Sequence, residues 1–320
     1  MAEVIDSKTF KLKYSDTLGI FAMVGRGFGN PIDSAISKDG HIYVVSRSAP
    51  FLPDGVRIAI CTIDHDYLGE FGTFGYEDGQ FAWPTSVAFD ANNNLYLSDE
   101  YTHCISIFTK DGNFLKKWGI YGDAEGQLNG PSGLAFDTAD NLFIVDHQNH
   151  RIQKFTKDGN VIDSWGTFGN KEGQFNLPWG ITLDKEDNVY VADWRNDRIQ
   201  KFTSKGKHIA TVGSSGSEEG QLNRPSSVAV DSEGNIFVAD WGNERIQIFD
   251  PKGQFLLKLR GQATLSKWAQ EFMDSNSDEA TARANSNLEP QLDLLVNTPY
   301  EQSSYIEKYF WGPVSVKIDS

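Results

Sequence analysis

Long apolar runs are missing from this 320-residue chain, and no stretch approaches the length that crosses a bilayer. The N-terminal MAEVIDSKTFKLKY has no apolar segment of the kind that directs secretion. Cysteine is nearly absent, and Cys61 and Cys104 supply neither a disulfide framework nor zinc-ligand spacing. Clustered base is lacking as well. Lys and Arg number 29 against 44 Asp and Glu, and the surplus of −15 is spread along the chain. Such a charge argues against a phosphate backbone as partner, so nucleic acid is not expected. These absences point to a cytoplasmic protein with no membrane span.

What the chain has is glycine, 30 residues of it, and a repeat. Pro84, Pro131, Pro178 and Pro225 lie 47 residues apart, as do Asp90, Asp137, Asp184 and Asp231, and Asp99, Asp146, Asp193 and Asp240. One unit reads GTFGNKEGQFNLPWGITLDKEDNVYVADWRNDRIQKFTSKGKHIATVG. Its four short apolar runs, WGITLD, NVYVAD, DRIQKF and HIATVG, are separated by turn residues such as KEDN and TSKG. The runs are rich in Val, Ile, Tyr and Phe and carry no helical stripe. Four antiparallel strands at this period predict propeller blades rather than a helical solenoid.

The unit resembles the NHL repeat, built around P-x-x-[VIL]-x-x-D, then [YF][VIL]x-D, then N-x-R-[VI]-Q, over residues 72–260. That resemblance implies an all-β, six-bladed β-propeller of four-stranded antiparallel blades. The blades are expected at roughly 20–71, 72–119, 120–166, 167–213 and 214–260. The last blade, 312–320, is incomplete in this chain, and an N-terminal strand at 13–19 is expected to close it, since closure removes open sheet edges. Its missing middle strands favour reading the chain as a fragment. A partly helical insertion spans 261–311, with Thr264 or Ser266 as cap, Leu265, Trp268, Ala269, Phe272 and Met273 on one side, and a second helix over Asp278–Ala284.

In a propeller the first strand lines the channel, and the loops entering the first strand and leaving the second share one face, here the top. Both departures from the repeat fall there: SAPFLPD in blade 1 and the 261–311 insertion, expected as a lid over a central pocket or as a packing insert. Repeated residues read as scaffold. Asp146, Asp193 and Asp240 with Arg151, Arg198 and Arg245 form a blade clasp, Asn149, Asn196 and Asn243 satisfy the turn between them, and Cys104 is a small substitute for the missing blade 2 arginine.

Positions that vary between blades are the candidates for function. After the strand-ending Asp stand Glu100, His147, Trp194 and Trp241, with Arg47 at the blade 1 counterpart. After the first-strand proline stand Ile32, Thr85, Ser132, Trp179, Ser226 and Val314, and Asp33 is the one acid at the next position. A polar arc facing tryptophans suits a ligand with one flat side and one polar side, or a protein epitope anchored by aromatics. The expected ligand-binding residues are Trp179, Trp194, Trp241, Asp33, Ser132 and Trp268, and the partner is a protein or small molecule. The competing reading is a hydrolase or lyase in which His147 moves a proton, Glu100 orients it and Arg47 steadies negative charge. No metal-ligand set is evident, and a channel Ca²⁺ held by Asp33 and backbone carbonyls is the one cofactor left open. Oligomeric state is not legible.

Overall fold

The computed structural model describes residues 4–7, 10–47, 53–292 and 298–319. It contains five four-stranded antiparallel sheets, each with its strands paired in chain order. Blade 3 shows the plan: Pro131–Phe136, Leu142–Asp146, Arg151–Phe155 and Val161–Trp165. Pro131 pairs with Asp146, so the start of the first strand and the end of the second meet at the top. The apolar clusters lie between sheets. Leu97 and Phe108 of blade 2 share one with Tyr43 and Ile58 of blade 1, and blades 2–3, 3–4 and 4–5 repeat the arrangement. Alternation along strands buried on both faces supplies these residues.

The turn between third and fourth strands shows why the repeat spends a glycine there. Gly159 and Gly206 have φ of +87° and +72°, and a Cβ on either would stand 2.6 Å from the indole of Trp118 or Trp165 in the preceding blade. Only glycine suits both the backbone and the close approach.

At the top of each repeat a buried carboxylate collects donors. Asp193 accepts from Asn176 N–H (2.8 Å), Asn196 Nδ2 (2.9 Å), Arg198 Nε (2.8 Å) and Gln200 Nε2 (3.0 Å). Arg198 then donates to the carbonyls of Asn170, Lys171 and Gln174, fastening the loop between blades. Asp146 and Asp240 have the same set of side-chain partners, Asn149, Arg151 and Gln153 or Asn243, Arg245 and Gln247. In blade 2 Asp99 binds the N–H groups of Ala82, Trp83, Tyr101 and Thr102, and Lys117 reaches the Tyr76 carbonyl where an arginine would have reached. Blade 1 replaces the aspartate with Ser46, and its Arg57 pairs with Glu70 at 2.8 Å.

The closure differs from the six-blade expectation, because no sixth four-stranded sheet forms among the described residues. Residues 13–19 were expected as the strand that closes the blade begun by 312–320. Instead Phe10–Lys13 pairs with Val4–Ser7, and neither 14–19 nor 312–319 is strand. The segment after Gly312 nonetheless bridges the gap between blades 5 and 1. Ser226 Oγ donates to Pro313 O at 3.0 Å and Val316 N–H to Ser227 Oγ at 3.2 Å, while Ser315 Oγ donates to Asp33 at 2.6 Å. With no neighbouring strand of its own, this segment is held by side chains rather than by a ladder.

The insertion stands in the same sector. Helices α1 (Lys267–Ser275), α2 (Ser277–Ala284) and α3 (Pro299–Tyr305) lie within it, and Ser266 caps α1 by accepting from Ala269 N–H at 3.1 Å. Trp268 is 1% exposed, packs beside Phe28 and Tyr67, and donates from Nε1 to His65 O at 2.6 Å. It plugs the flank of blade 1, so Trp268 is a core residue and not the ligand contact the sequence suggested. Arg260, at the end of blade 5, holds α3 through Pro299 O and Ser303 Oγ. The described residues of 261–311 thus cover apolar blade flanks, and none of those described lines the channel cavity. The other expected top-face insertion, SAPFLPD, falls largely on 48–52, outside the described residues.

The clasp gives a stability prediction. Asp193→Ala leaves Arg198, 13% exposed, without its carboxylate, and should cost about 3–5 kcal/mol as a shift of the urea midpoint. A loss below about 1 kcal/mol would show that the carboxylate does not fasten the blade.

Candidate functional site

The channel itself offers little room. Its cavity, lined by Asp33, Ser86, Gly133, Gly180, Ser227 and Ser315 among others, measures about 20 Å³, space for an ordered water rather than an organic ligand. Hydroxyls stitch its wall from blade to blade. Thr85 donates to Pro131 O at 2.9 Å, Ser132 to Trp179 O at 2.9 Å and Ser226 to Pro313 O at 3.0 Å. Ser132 is fully buried in this ladder and is scaffold, contrary to its expected ligand role. Asp33, also buried, accepts from Ser86 Oγ (2.7 Å), Val87 N–H (3.1 Å) and Ser315 Oγ (2.6 Å), and pairs with Lys317 at 3.1 Å. Those donors and the lysine ammonium take the lone pairs a channel calcium would need, so the residues do not fit one. Among the described residues no cluster of three or more His, Cys, Asp or Glu could hold a metal ion.

Above the cavity four successive blades converge. Arg47 of blade 1 donates from Nε to Pro84 O at 3.1 Å, and its guanidinium lies 4.6 Å from the ring of Trp83 and 5.8 Å from that of Trp179. Its Nη2 is 3.4 Å from Glu100 Oε2. His147 of blade 3 stacks edge-on against Trp179 at 4.9 Å and donates from Nδ1 to Pro178 O at 2.9 Å. The structure thus gathers Arg47, Glu100, His147 and Trp179 at one mouth, while Asp33 and Ser132 lie in the wall beneath. Only Arg47 and Glu100 of the expected catalytic trio touch directly.

Burial dominates the electrostatics here. It pulls the Arg47 guanidinium down to about 10, against the carboxylates of Glu100 and Asp99. The Glu100 carboxyl is pushed up by burial, opposed by Arg47. His147 is lowered to about 4 by burial, opposed by its bond to the Pro178 carbonyl. At neutral pH the imidazole is therefore uncharged, with Nδ1–H committed and Nε2 carrying a lone pair.

Of two further open depressions, only the first adjoins this mouth. One, about 660 Å³, is lined by Trp83, Glu100, Tyr101, His103 and Gln148 between blades 2 and 3. His103 accepts the Gly130 N–H on Nδ1 at 3.0 Å, which leaves Nε2–H facing outward in the neutral ring. The other, about 610 Å³, includes Trp241, Tyr300 and Trp311 beside blade 5. Trp194 is half-buried between the guanidinium groups of Arg195 and Arg224, each 5.4 Å from its ring. Sequence reasoning missed Trp83, Tyr101, Gln148, Tyr300 and Trp311. The first three occupy positions that differ from blade to blade, the same signal that singled out Glu100 and His147.

A ring of four-stranded blades around a narrow channel, with its variable side chains gathered on one face, defines a β-propeller. The NHL repeat family matches residues 81–108, 128–155, 175–202 and 222–249, and the chain belongs with the NHL-repeat β-propellers. No curated protein matches it significantly in sequence. Similar solved structures include the virginiamycin B lyase of Staphylococcus aureus, 16% identical over 72% of this chain and 70% of that one, with a TM-score of 0.52. A chain of a nidogen/laminin complex is 16% identical over 75% and 83%, with a TM-score of 0.55. A functionally unknown protein from Desulfotomaculum acetoxidans is 12% identical over 80% and 77%, with a TM-score of 0.53. At these identities the likeness is one of fold.

The low His147 value makes a pH prediction. Between about pH 6.5 and about pH 4 the unfolded chain binds a proton that the folded chain does not, so stability falls as pH drops through that window. The full effect is on the order of 3 kcal/mol. Asp146, His150 and Arg47 surround position 147 and are unchanged when wild type is compared with His147→Gln, so their own titration is common to both. The urea midpoint of wild type should therefore drop more steeply than that of the variant from pH 7 to pH 4, and parallel profiles would refute the assignment.

Proposed function

We propose that this propeller is a binding module that takes a protein or small-molecule ligand on its top face, in the depression between blades 2 and 3. The observation that carries the reading is the open hollow over Trp83, with its mixed lining of Tyr101, Glu100, His103 and Gln148. Trp83 and Tyr101 offer flat apolar surface, Glu100 accepts, His103 Nε2–H donates, and Gln148 does either. Arg47 backs Trp83 and Glu100, its guanidinium held between two indoles and a carboxylate. In this reading the ring has six sectors, the sixth filled by the insertion and 313–317. The setting is the cytoplasm: both cysteines are free, and no described helix is long and apolar enough to cross a membrane.

A second reading, a hydrolase or lyase at the same mouth, is favoured by the meeting of Arg47 with Glu100 and by the neutral His147 nearby. Its histidine would act as a base through Nε2. No carboxylate hydrogen-bonds that ring, which is why binding is the primary reading.

Tyr101 is 64% exposed and Gln148 is also exposed, so replacing both by alanine should leave the unfolding midpoint within about 0.5 kcal/mol of wild type. The test is a thermal-shift screen of metabolites together with display of random peptides. Hits on wild type should weaken at least tenfold on Tyr101→Ala/Gln148→Ala. Hits indifferent to the double substitution, or no hit from either screen, would count against this site. Turnover of a screened ester or lactone that vanishes in His147→Gln would favour the enzyme instead.

A further inference from the structure

The cleft beside blade 5 has a different character from the mouth. Trp241, Tyr300 and Trp311 are 37%, 56% and 65% exposed, a concentration of aromatic surface that solvent alone does not explain. Three separate stretches of chain bring them together: the turn after Asp240, the first turn of α3, and the residue before Gly312. The arrangement is fixed. Gly312 has φ +60°, and a Cβ there would stand 2.8 Å from Trp241 Nε1, so its backbone presses on the indole edge. The Thr298 capping box sets the start of α3 and with it Tyr300, whose ring lies 6.0 Å from that of Trp311.

Several hydrogen-bond donors stand at the rim of the cleft. Glu244 is 4% exposed and its carboxylate is already committed to Gly312 N–H. Arg224, Trp311 Nε1 and the Tyr300 hydroxyl offer N–H and O–H groups there, while Asn223 donates to Gly242 O at 3.3 Å. Arg224 and its neighbour Arg195 have no carboxylate partner among the described residues, and both lean on Trp194. Two uncompensated guanidinium groups in a chain of net charge −15 mark this edge for negative charge.

We propose that this cleft docks a proline-rich, polyproline II segment of a partner protein, with an acidic residue at one end that pairs with Arg224 and Arg195. Such a segment has no internal hydrogen bonds, so its carbonyls need outside donors, and its proline rings pack on aromatic faces. The cleft supplies both. A sugar would gain more from a carboxylate acceptor, and here the one carboxylate, Glu244, is buried and bound to Gly312 N–H. This inference uses residues distinct from the depression between blades 2 and 3 and stands apart from it.

The probe is a fluorescein-labelled decaproline carrying two C-terminal aspartates, read by anisotropy. Wild type should bind it saturably in the micromolar range, at least fivefold tighter than the same peptide ending in two lysines and at least tenfold tighter than a Gly/Ser peptide ending in two aspartates. Trp311→Ala should weaken binding at least tenfold with an unchanged urea midpoint, since this side chain is largely exposed. Arg224→Gln should abolish the preference for aspartate over lysine. Tyr101→Ala/Gln148→Ala should bind as wild type does, which separates this test from that of the other site. The proposal is overturned by no saturable binding up to 1 mM (roughly the weak limit of such docking), by equal binding of the Gly/Ser peptide, or by Trp311→Ala binding unchanged. Saturable binding of a linear glucose hexasaccharide in place of the peptide would also overturn it.

Discussion

A buried carboxylate at the end of the second strand in four of the five blades fixes what stands above it. In blades 3, 4 and 5 this group binds the third-strand arginine and glutamine, the turn asparagine, and a backbone N–H of the loop arriving from the preceding blade. Burying it without donors would cost several kcal/mol, so the donors must all arrive together. The consequence is geometric. The residue that follows the aspartate leaves the blade at a fixed place on the top face, whatever its side chain. Glu100, His147, Trp194 and Trp241 are three kinds of side chain delivered to that one place.

The period of 47 made that frame legible, because a structural requirement met in every blade has to be written in every blade. The same logic, applied more widely, would have sorted the channel residues correctly. Thr85, Ser132 and Ser226 are hydroxyl residues at one register position, and the structure gives all three the same duty of bonding the next segment round the ring. Trp83 and Tyr101 vary between blades and escaped notice because only the neighbouring positions were compared. Asp33 was harder to place. Its partners Ser315 and Lys317 lie 282 and 284 residues away in sequence, and no other blade carries an acid at its position to compare. Trp268 lies in the insertion, where there is no second copy to compare, and an apolar helix side looks the same whether it covers a ligand or a blade flank.

At the mouth the competing energies are desolvation and ion pairing. Arg47 keeps its charge although largely enclosed, since two indole faces, the Pro84 carbonyl and Glu100 surround it. Glu100 is drawn two ways by burial and by that guanidinium. An incoming donor for Glu100 would therefore compete with Arg47 for the carboxylate, and an incoming acid would compete with Glu100 for the arginine. Either exchange leaves one buried charge short of its partner unless the ligand replaces what it displaces. A ligand seated at this mouth, as proposed, would therefore have to bring both a donor and an acceptor.

Closure without a sixth sheet carries its own constraint. Blades 1 and 5 each turn an apolar flank toward the gap, and an exposed flank of that size would invite association with other chains. The chain answers on each side with a different device: Trp268 of α1 against blade 1, and Leu12 with Val316 against blade 5. Between them the segment from Pro313 to Lys317 ties blade 5 to blade 1 through Ser226, Ser227 and Asp33. The Asp33–Lys317 pair thus has a mechanical role that the five repeats do not need, since each of them meets its neighbour across a full apolar interface. Because the insertion must cross from blade 5 toward blade 1 to deliver Trp268 and then return before Gly312, it passes the top of blade 5 as α3. That return path is what places Tyr300 and Trp311 against Trp241, so the aromatic cleft is a product of how the ring is closed.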